Sequence, residues 1–214
     1  MNAPIVTMEE RKREGFGWIP AQAESIPERI CFEEWFGNDH PVEVELGCGK
    51  GKFLLARAQA NSKINFIGID WSRKWLSIGA ERSVGQEISH VKWVWGRVSV
   101  LLARIPSQSI SIFHIYFPDP WPKRKHQERR LICAELIDEL QGLLKPGGRI
   151  EIATDFQDYF EAIKKSVGRV QTNWSRLRMS MNERLFSPDI KTSYEIKYEA
   201  CGKPLYYMEL VKGI

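Results

Sequence analysis

Three acidic residues and a glycine-rich turn are the groups in this chain whose types and spacing could carry chemistry. Glu45 precedes a turn that contains Gly47 and Gly49. Asp70 ends the apolar run FIGID, and Asp119 stands between two prolines. Glycine lets a backbone turn sharply and approach a ligand closely, and a helix that follows directs its amide groups towards an anion. A carboxylate at the end of a strand can accept hydrogen bonds from both hydroxyls of a ribose.

The glycine spacing distinguishes between two kinds of nucleotide cofactor. A dinucleotide site requires G-x-G-x-x-G, and counting from Gly47 places Lys52 at the third glycine position. The tighter G-x-G-x-G, preceded by Glu45, suits a ligand with a carboxylate and an ammonium group, such as the methionine end of S-adenosylmethionine. Asp70 could instead be only the N-cap of the next helix. Together with the glycine turn, it favours a nucleoside cofactor.

The segment around Asp119 is the third candidate. Pro118 and Pro120 restrict the backbone on both sides of the carboxylate, which helps to hold it in one direction. Trp121 offers an aromatic face on which a base could stack. The alternative is a rigid connection from strand to helix with an incidental aspartate. We interpret the segment as the reaction site, because it is expected at the same sheet edge as the glycine turn.

The elements that must position these residues alternate between strands and helices. This pattern predicts an α/β fold with a Rossmann-like, doubly wound, mostly parallel seven-stranded sheet, whose ligands bind beyond the carboxyl ends of the strands. Two strand-like runs near the end, RLRMSM and PLYYMELVK, predict a C-terminal antiparallel hairpin. Residues 1–40 are predicted to form a partly irregular arm with a helical segment near 28–36, and residues 41–214 to form one domain.

The net charge of +4 is concentrated in one short segment. Residues 123–130 hold five basic residues and one acidic residue, so the rest of the chain sums to zero. The run is predicted to open a helix from about Gln127 to Leu144, where positive charge opposes the helix dipole. A phosphate-facing patch explains this arrangement better than helix stability does. The alternative is an ordinary solvated helix start.

Composition excludes several classes of protein. With 43% hydrophobic and 27% charged residues, the chain is typical of a globular protein. No apolar stretch is long enough to span a bilayer, and the first residues have no secretory pattern, so we expect a cytoplasmic protein. The four cysteines form no C-x-x-C pair, and neither a metal site nor a disulfide framework is expected.

Taken together, the motifs resemble those of a known family. The segments ELGCGKG, FIGID, FPDPWPKRKHQERR, LKPGG, ATDF and TSYE are similar to those of the bacterial tRNA (guanine-N7)-methyltransferases, which are class I S-adenosylmethionine-dependent methyltransferases. The resemblance covers roughly Phe36 to Val211, and FPDPWPK is its most specific part. It implies that residues 41–214 are the methyltransferase domain, that S-adenosylmethionine is the cofactor, and that tRNA is the partner. It also implies guanosine 46 of the variable loop as the target. Whether the protein is a monomer or a homodimer stays open.

The resemblance also implies roles for individual residues. The cofactor would be bound by Glu45, Gly47, Gly49, Asp70 and Asp119, and Asp119 would also be catalytic. The substrate guanosine would be bound by Lys123, Asp155, Thr192, Ser193, Tyr194 and Glu195. The segment facing the RNA would consist of Lys125, His126, Gln127, Glu128, Arg129 and Arg130.

One position departs from the family pattern. The family usually has Gly-Asp at the end of the third strand, with the acid near the adenine, but here Arg97 follows Gly96. Arginine cannot accept a hydrogen bond from the adenine amine, so we expect altered or weaker cofactor affinity at this cofactor position. Two alternatives stay open: a small-molecule methyltransferase of the same fold, and a non-catalytic RNA-binding relative, which Arg97 favours.

Overall fold

An eight-stranded sheet forms the centre of the computed structural model, which describes residues 21–170, 174–186 and 190–214. The strands are β1 (Ala21–Gln22), β2 (Val42–Leu46), β3 (Asn65–Asp70), β4 (Val91–Trp95), β5 (Ile110–Tyr116), β6 (Leu144–Thr154), β7 (Trp174–Met181) and β8 (Tyr206–Lys212). Their order is β1-β4-β3-β2-β5-β6-β8-β7. The first six in this order are parallel, and β8 is antiparallel to both β6 and β7. The predicted α/β class and the C-terminal antiparallel hairpin are confirmed.

Helices cover both faces of the sheet. They are α1 (Phe32–Phe36), α2 (Lys52–Ala60), α3 (Arg73–Gly85), α4 (Val98–Leu102), α5 (Ala134–Leu143), α6 (Gln157–Arg169) and α7 (Ser193–Ala200), with 3-10 helices at Ala23–Ser25 and Arg124–Arg129. All five residues of β2 are buried, as expected of a parallel strand covered on both sides. Within the described ranges, none of the helices combines the length and apolar character of a membrane span.

Three elements differ from the prediction. The sheet has eight strands and not seven, because two residues of β1 pair with β4, and a two-residue strand has no sequence pattern to reveal it. The helix α7 lies between β7 and β8, where no helix was predicted. The basic run forms its own short 3-10 helix, and α5 begins only at Ala134. The prediction that the basic residues open one long helix and oppose its dipole is therefore wrong. Residues 1–20 of the predicted arm lie outside the described residues.

The strand order places the candidate residues at one edge. The chain runs from β2 outward to β3 on one side and later places β5 on the other side, so the order reverses between β2 and β5. Ligands of open parallel sheets bind at such a reversal, beyond the carboxyl ends of the strands. The glycine turn follows β2, and the segment with Asp119 follows β5. The two therefore project from neighbouring strands.

A row of buried polar side chains crosses the sheet beneath this edge. His114 of β5 lies between two carboxylates: its Nε2 is 3.0 Å from Glu43 of β2, and its Nδ1 is 3.1 Å from Glu151 of β6. Glu43 also accepts a hydrogen bond of 2.7 Å from Arg57, and Glu151 accepts one of 2.6 Å from Tyr116. Each of the three central side chains is at most 2% exposed. The row thus joins three neighbouring strands through hydrogen-bonded charges.

The charges in this row stabilise one another against burial. Burial alone would raise the pKa of Glu43, but hydrogen bonds from Arg57 and His114 lower that pKa to about 2. Burial would likewise lower the pKa of His114, but the hydrogen bonds and charges of Glu151 and Glu43 outweigh burial and raise it. These surroundings favour the protonated imidazole, in which both ring nitrogens can donate to the carboxylates.

We predict that His114→Leu lowers the free energy of unfolding by ~3 to 5 kcal/mol, because it leaves two buried carboxylates without their shared cation. Urea denaturation measures the change. The control is His90→Leu, whose imidazole contacts one backbone carbonyl, that of Ala58, and whose loss should cost about 1 kcal/mol. Equal losses in the two variants would show that the bridge adds nothing beyond an ordinary hydrogen bond.

Candidate active site

The glycine turn after β2 has an open side. Gly47 and Gly49 have φ values of +79° and +54°, and a Cβ on either would meet no atom of the described residues within 4 Å. Their backbone amides are fixed, since Gly47 donates to the carbonyl of Ile69 at 2.8 Å and Gly49 donates to Asp70 at 2.9 Å. Gly51 has a different role, because a Cβ there would lie 2.1 Å from the ring of Trp93. The first two glycines leave room for a ligand, and the third allows close packing.

Asp70 is held in one orientation by two backbone amides. One carboxylate oxygen accepts from Gly49, and the other accepts from Ser72 at 2.7 Å. The N-cap of α3 is Ser72, whose hydroxyl accepts from the amide of Trp75, so Asp70 is not the cap. Each carboxylate oxygen has a second lone pair, which can accept from a ribose hydroxyl. This geometry fits the ribose role that the sequence predicts.

Glu45 is a buried carboxylate with an unused acceptor. Its Oε2 atom has no hydrogen-bond partner among the described residues. Burial, together with the nearby charge of Asp70, raises the pKa of Glu45 to about 8, although His114 acts in the opposite direction. A buried carboxylate in this state gains from the arrival of a cation. The residue therefore fits the ammonium group of an amino-acid ligand such as the methionine end of S-adenosylmethionine.

The segment that carries Asp119 leaves β5 through unusual backbone geometry. Phe117 and Trp121 have φ values of +51° and +40°, which bulky residues rarely adopt. The amide of Phe117 donates to the carbonyl of Ala153 at 2.8 Å, and the guanidinium of Arg130 donates to the carbonyl of Pro120 at 2.8 Å. Asp119 itself is exposed. The surrounding backbone is thus tied down while the carboxylate faces outward.

An aromatic cluster adjoins this segment: Phe117, Tyr194 and Tyr198. The Phe117 ring lies 5.8 Å from Tyr194 and 5.7 Å from Tyr198, and Tyr194 is 54% exposed. The sequence pointed to Trp121 as the stacking residue, but that ring packs against His126 and the guanidinium of Arg129. Sequence reasoning did not identify Phe117 or Tyr198. Their contacts join residues far apart in the chain, so no local pattern could reveal them.

Asp155 and the start of α7 lie close to the aromatic cluster. Asp155 directly follows β6, and its carboxylate is 3.3 Å from the ammonium of Lys203. The same ammonium lies 4.4 Å from the ring centre of Tyr198. Thr192 is the N-cap of α7, with its side chain accepting from the amide of Glu195. The tertiary structure therefore brings the ATDF, TSYE and FPDPW motifs together, and adds Lys203 to them.

Glu195 has surroundings that differ from those expected of a ligand-facing residue. It is 0% exposed. One oxygen accepts from the amide of Thr192 at 2.7 Å, and the other accepts from Arg184 and from the hydroxyl of Tyr207 at 3.1 Å. The guanidinium of Arg184 also lies 4.8 Å from the ring centre of Phe186. Glu195 therefore anchors the first turn of α7 to the protein interior.

The basic segment divides into exposed and anchored residues. Lys123, Lys125 and Arg129 are exposed. In contrast, the side chain of Arg130 is only 7% exposed and pairs with Asp158 at 2.6 Å. Its guanidinium also lies over the ring of Tyr159. Of the predicted RNA-facing residues, Arg130 thus fixes the segment to α6, while Lys125 and Arg129 remain on the surface. Gln127 lies 3.4 Å from Asp158 as well, and Glu128 is exposed.

Comparisons with known proteins agree with this arrangement. The family model "Putative methyltransferase" matches residues 39–208. A tRNA (guanine-N(7)-)-methyltransferase of Streptococcus gordonii is 31% identical over 180 residues, which are 84% of this chain and 85% of that protein. The protein of the same name from Rhodopirellula baltica is 32% identical, over 86% of this chain and 70% of that protein. The chain belongs to the tRNA (guanine-N7)-methyltransferase family.

Solved structures support the fold of this family member. The 16S rRNA methyltransferase KamB aligns with a TM-score of 0.61 at 13% identity, covering 90% of this chain and 99% of that chain. An antibiotic-related methyltransferase aligns with a TM-score of 0.60 at 17% identity, covering 86% and 92%. At such low identity these likenesses show the fold alone. Membership of the family makes the chain a methyltransferase with S-adenosylmethionine as its cofactor, and the glycine turn, Asp70 and Glu45 fit that molecule.

We predict that Glu45→Gln changes how stability depends on pH. The folded protein keeps a proton on Glu45 up to a pKa of about 8, whereas the unfolded chain releases it near the ordinary value of 4.5. The free energy of unfolding of the wild type therefore falls as the pH rises from about 4.5 to about 8. Glutamine cannot ionise, so the variant should gain stability relative to wild type between pH 5 and about pH 8.

Urea denaturation at several pH values in the absence of cofactor measures this gain. The matched control is Glu33→Gln, an exposed position on α1. If the difference between Glu45→Gln and wild type stayed constant across the range, Glu45 would not hold a proton in the folded state.

Proposed function

We propose that this protein transfers the methyl group of S-adenosylmethionine to N7 of guanosine 46 in the variable loop of tRNA, and that it does so in the cytoplasm. The observation that carries the proposal is the exposed carboxylate of Asp119, which follows the strand next to the one that carries the glycine turn and precedes an exposed basic segment in the chain. A small-molecule methyltransferase would not need that segment. In this proposal residues 41–214 form the methyltransferase domain.

The cofactor would be held by residues at the ends of β2 and β3. Glu45 would pair with the ammonium group, the open side of the turn at Gly47 and Gly49 would leave room for the methionine end, and Asp70 would accept from the ribose hydroxyls. S-adenosylmethionine, when bound, supplies an electrophilic methyl group on a sulfonium. The chain has to place a guanine in line with that methyl group, and such alignment can contribute up to ~7 to 11 kcal/mol in well-oriented systems.

The reaction requires no general base. Guanine N7 carries a lone pair and no hydrogen, so no proton has to be removed from the attacking atom. This chemistry agrees with the surroundings of His114, whose two nitrogens are both engaged by buried carboxylates. Methylation leaves the base cationic, and the carboxylate of Asp119 would stabilise that growing charge or accept hydrogen bonds from the guanine edge. Asp119 is therefore the proposed catalytic residue.

The base would be held by the aromatic cluster and its polar neighbours. The exposed ring of Tyr194 offers a stacking face, with Phe117 and Tyr198 packed beside it. Asp155 would accept from the guanine edge, and Lys203, which now pairs with Asp155, would remain close enough to compensate its charge. Glu195 would act indirectly by fixing Thr192, Ser193 and Tyr194 at the start of α7.

The RNA backbone would contact the basic segment. Lys123, Lys125 and Arg129 present exposed cations directly after Asp119 in the chain. When these side chains neutralise phosphates of the tRNA, bound counterions are released. The affinity for tRNA should therefore fall as the salt concentration rises. Lys123 is the basic residue of this segment nearest in sequence to Asp119 and would contact the target nucleotide or its phosphate.

We predict that Asp119→Asn lowers the rate of methyl transfer by ~10² to 10³-fold, the typical cost of removing one electrostatic contact to a transition state. Tritiated methyl transfer into unmodified tRNA, followed by nucleoside analysis for 7-methylguanosine, measures the rate and the site. Asp138→Asn on the exposed face of α5 is the control and should keep wild-type activity. A wild-type protein that forms no 7-methylguanosine would overturn the proposal, and equal rates in wild type and Asp119→Asn would remove Asp119 from the mechanism.

We predict opposite behaviour for two neighbouring arginines. Arg129→Ala should reduce the slope of log affinity for tRNA against log salt concentration by about one unit, because it removes an exposed phosphate contact. Arg130→Ala should leave that slope nearly unchanged and lower the free energy of unfolding, since it breaks the contacts to Asp158 and Pro120. Filter binding over a range of salt concentrations and urea denaturation measure the two effects. A reduced slope in Arg130→Ala with an unchanged slope in Arg129→Ala would contradict the assignment.

A further inference from the structure

The end of β4 has a neighbour that the sequence did not indicate. The strand β1 pairs in parallel with β4, with Gln22 opposite Trp95, and the 3-10 helix Ala23–Ser25 continues from it at the carboxyl edge. The Glu24 Oε2 atom lies 3.6 Å from the position that a Cβ on Gly96 would occupy. The same position is 2.8 Å from the Cβ of Ala23, so only glycine allows this approach.

This edge is continuous with the ribose side of the cofactor site. The amide of Gly96 donates to the carbonyl of Asp70 at 3.1 Å, which joins the ends of β4 and β3. The indole of Trp95 donates to the carbonyl of Trp71 at 2.9 Å, immediately after Asp70. A nucleoside whose ribose contacts Asp70 would therefore extend its base along this edge.

The side chain at position 97 cannot accept a hydrogen bond from the 6-amino group of adenine. Arg97 is exposed and is the N-cap residue of α4, and its guanidinium only donates hydrogen bonds. Glu24 is also exposed, and its carboxylate only accepts. Within residues 21–170, 174–186 and 190–214, neither side chain has a hydrogen-bond or ion-pair partner. The other carboxylate at these strand ends, Asp70, already accepts from two amides.

We propose that Glu24 accepts a hydrogen bond from the 6-amino group of the cofactor's adenine, and so replaces the acid that is absent at position 97. The inference rests on the proposed function, because it concerns the same cofactor. It explains how a chain with arginine at this position keeps selectivity for adenine. It also gives the segment before residue 40 a role in binding the cofactor.

Isothermal titration with two ligands tests this contact without any reaction. The ligands are S-adenosylhomocysteine and S-inosylhomocysteine, in which a carbonyl oxygen replaces the 6-amino group. Wild type should prefer the adenine compound by about tenfold or more, because a carboxylate accepts from the amine and repels the carbonyl. In Glu24→Ala the preference should fall towards one, mostly through weaker binding of the adenine compound. Glu28→Ala, also exposed and four residues away, should keep the wild-type preference.

A second variant tests the replacement directly. Adding Arg97→Asp to Glu24→Ala should restore the preference for the adenine compound, because an acceptor returns to the same edge. Circular dichroism and urea denaturation establish that the exposed substitutions leave the fold intact.

The outcomes separate the two proposals. If Glu24→Ala kept the wild-type preference for the adenine compound, another group would accept the hydrogen bond from the amine. The inference would then be wrong, but the proposed function would be unaffected. If adding Arg97→Asp did not restore the preference for the adenine compound, the two positions would not contact the same amino group. The proposal that Glu24 replaces an acid at position 97 would then be refuted. If wild type bound neither compound, the proposed function would fail together with the inference.

Discussion

The interaction on which the site depends is the bridge that His114 forms between Glu43 and Glu151. These residues lie on β5, β2 and β6, and the same three strands end in the Asp119 segment, the glycine turn and Asp155. A slip of one strand against its neighbours would break a buried charge pair and would also displace a site residue. The hydrogen bonds below the edge thus hold the groups above it in register.

Buried charges are a costly way to join strands. Apolar side chains of similar volume often stabilise a protein equally well, but they accept several registers, whereas a hydrogen-bonded pair has one. The row continues through Arg149 of β6, which lies 2.7 Å from Glu151 and 3.9 Å from Glu209 of β8. Arg178 of β7 donates two hydrogen bonds of 2.9 and 3.0 Å to Glu209. The row therefore spans both the parallel strands and the C-terminal antiparallel pair. Glu45 lies on the same strand as Glu43, and its Oε2 atom has no partner in the part of the chain that the structure describes. In the proposed function the cofactor's ammonium group uses this acceptor.

The proposed substrate side of the site is assembled by contacts between distant segments. Tyr194 reaches Phe117 from α7, and Lys203 reaches Asp155 across the turn that follows that helix. Glu195 anchors the start of α7 from within the protein. On the cofactor side, Glu24 lies in a 3-10 helix of three residues that follows the two-residue strand β1. Short elements thus supply side chains around the site, and the central strands supply its frame.

The sequence by itself determined the α/β class, the glycine turn, the positions of Asp70 and Asp119 at strand ends, and the concentration of charge after Asp119. These features follow from local patterns, since glycine spacing, apolar runs and charge counts can be read along the chain. Only the tertiary structure decided which charges face solvent. Arg129 and Arg130 are adjacent and chemically identical, but just one of them meets Asp158, because that partner lies on another helix. Burial and pairing depend on residues far away in sequence, and for this reason the approach of Glu24 to Gly96 had no signal in the order of the amino acids.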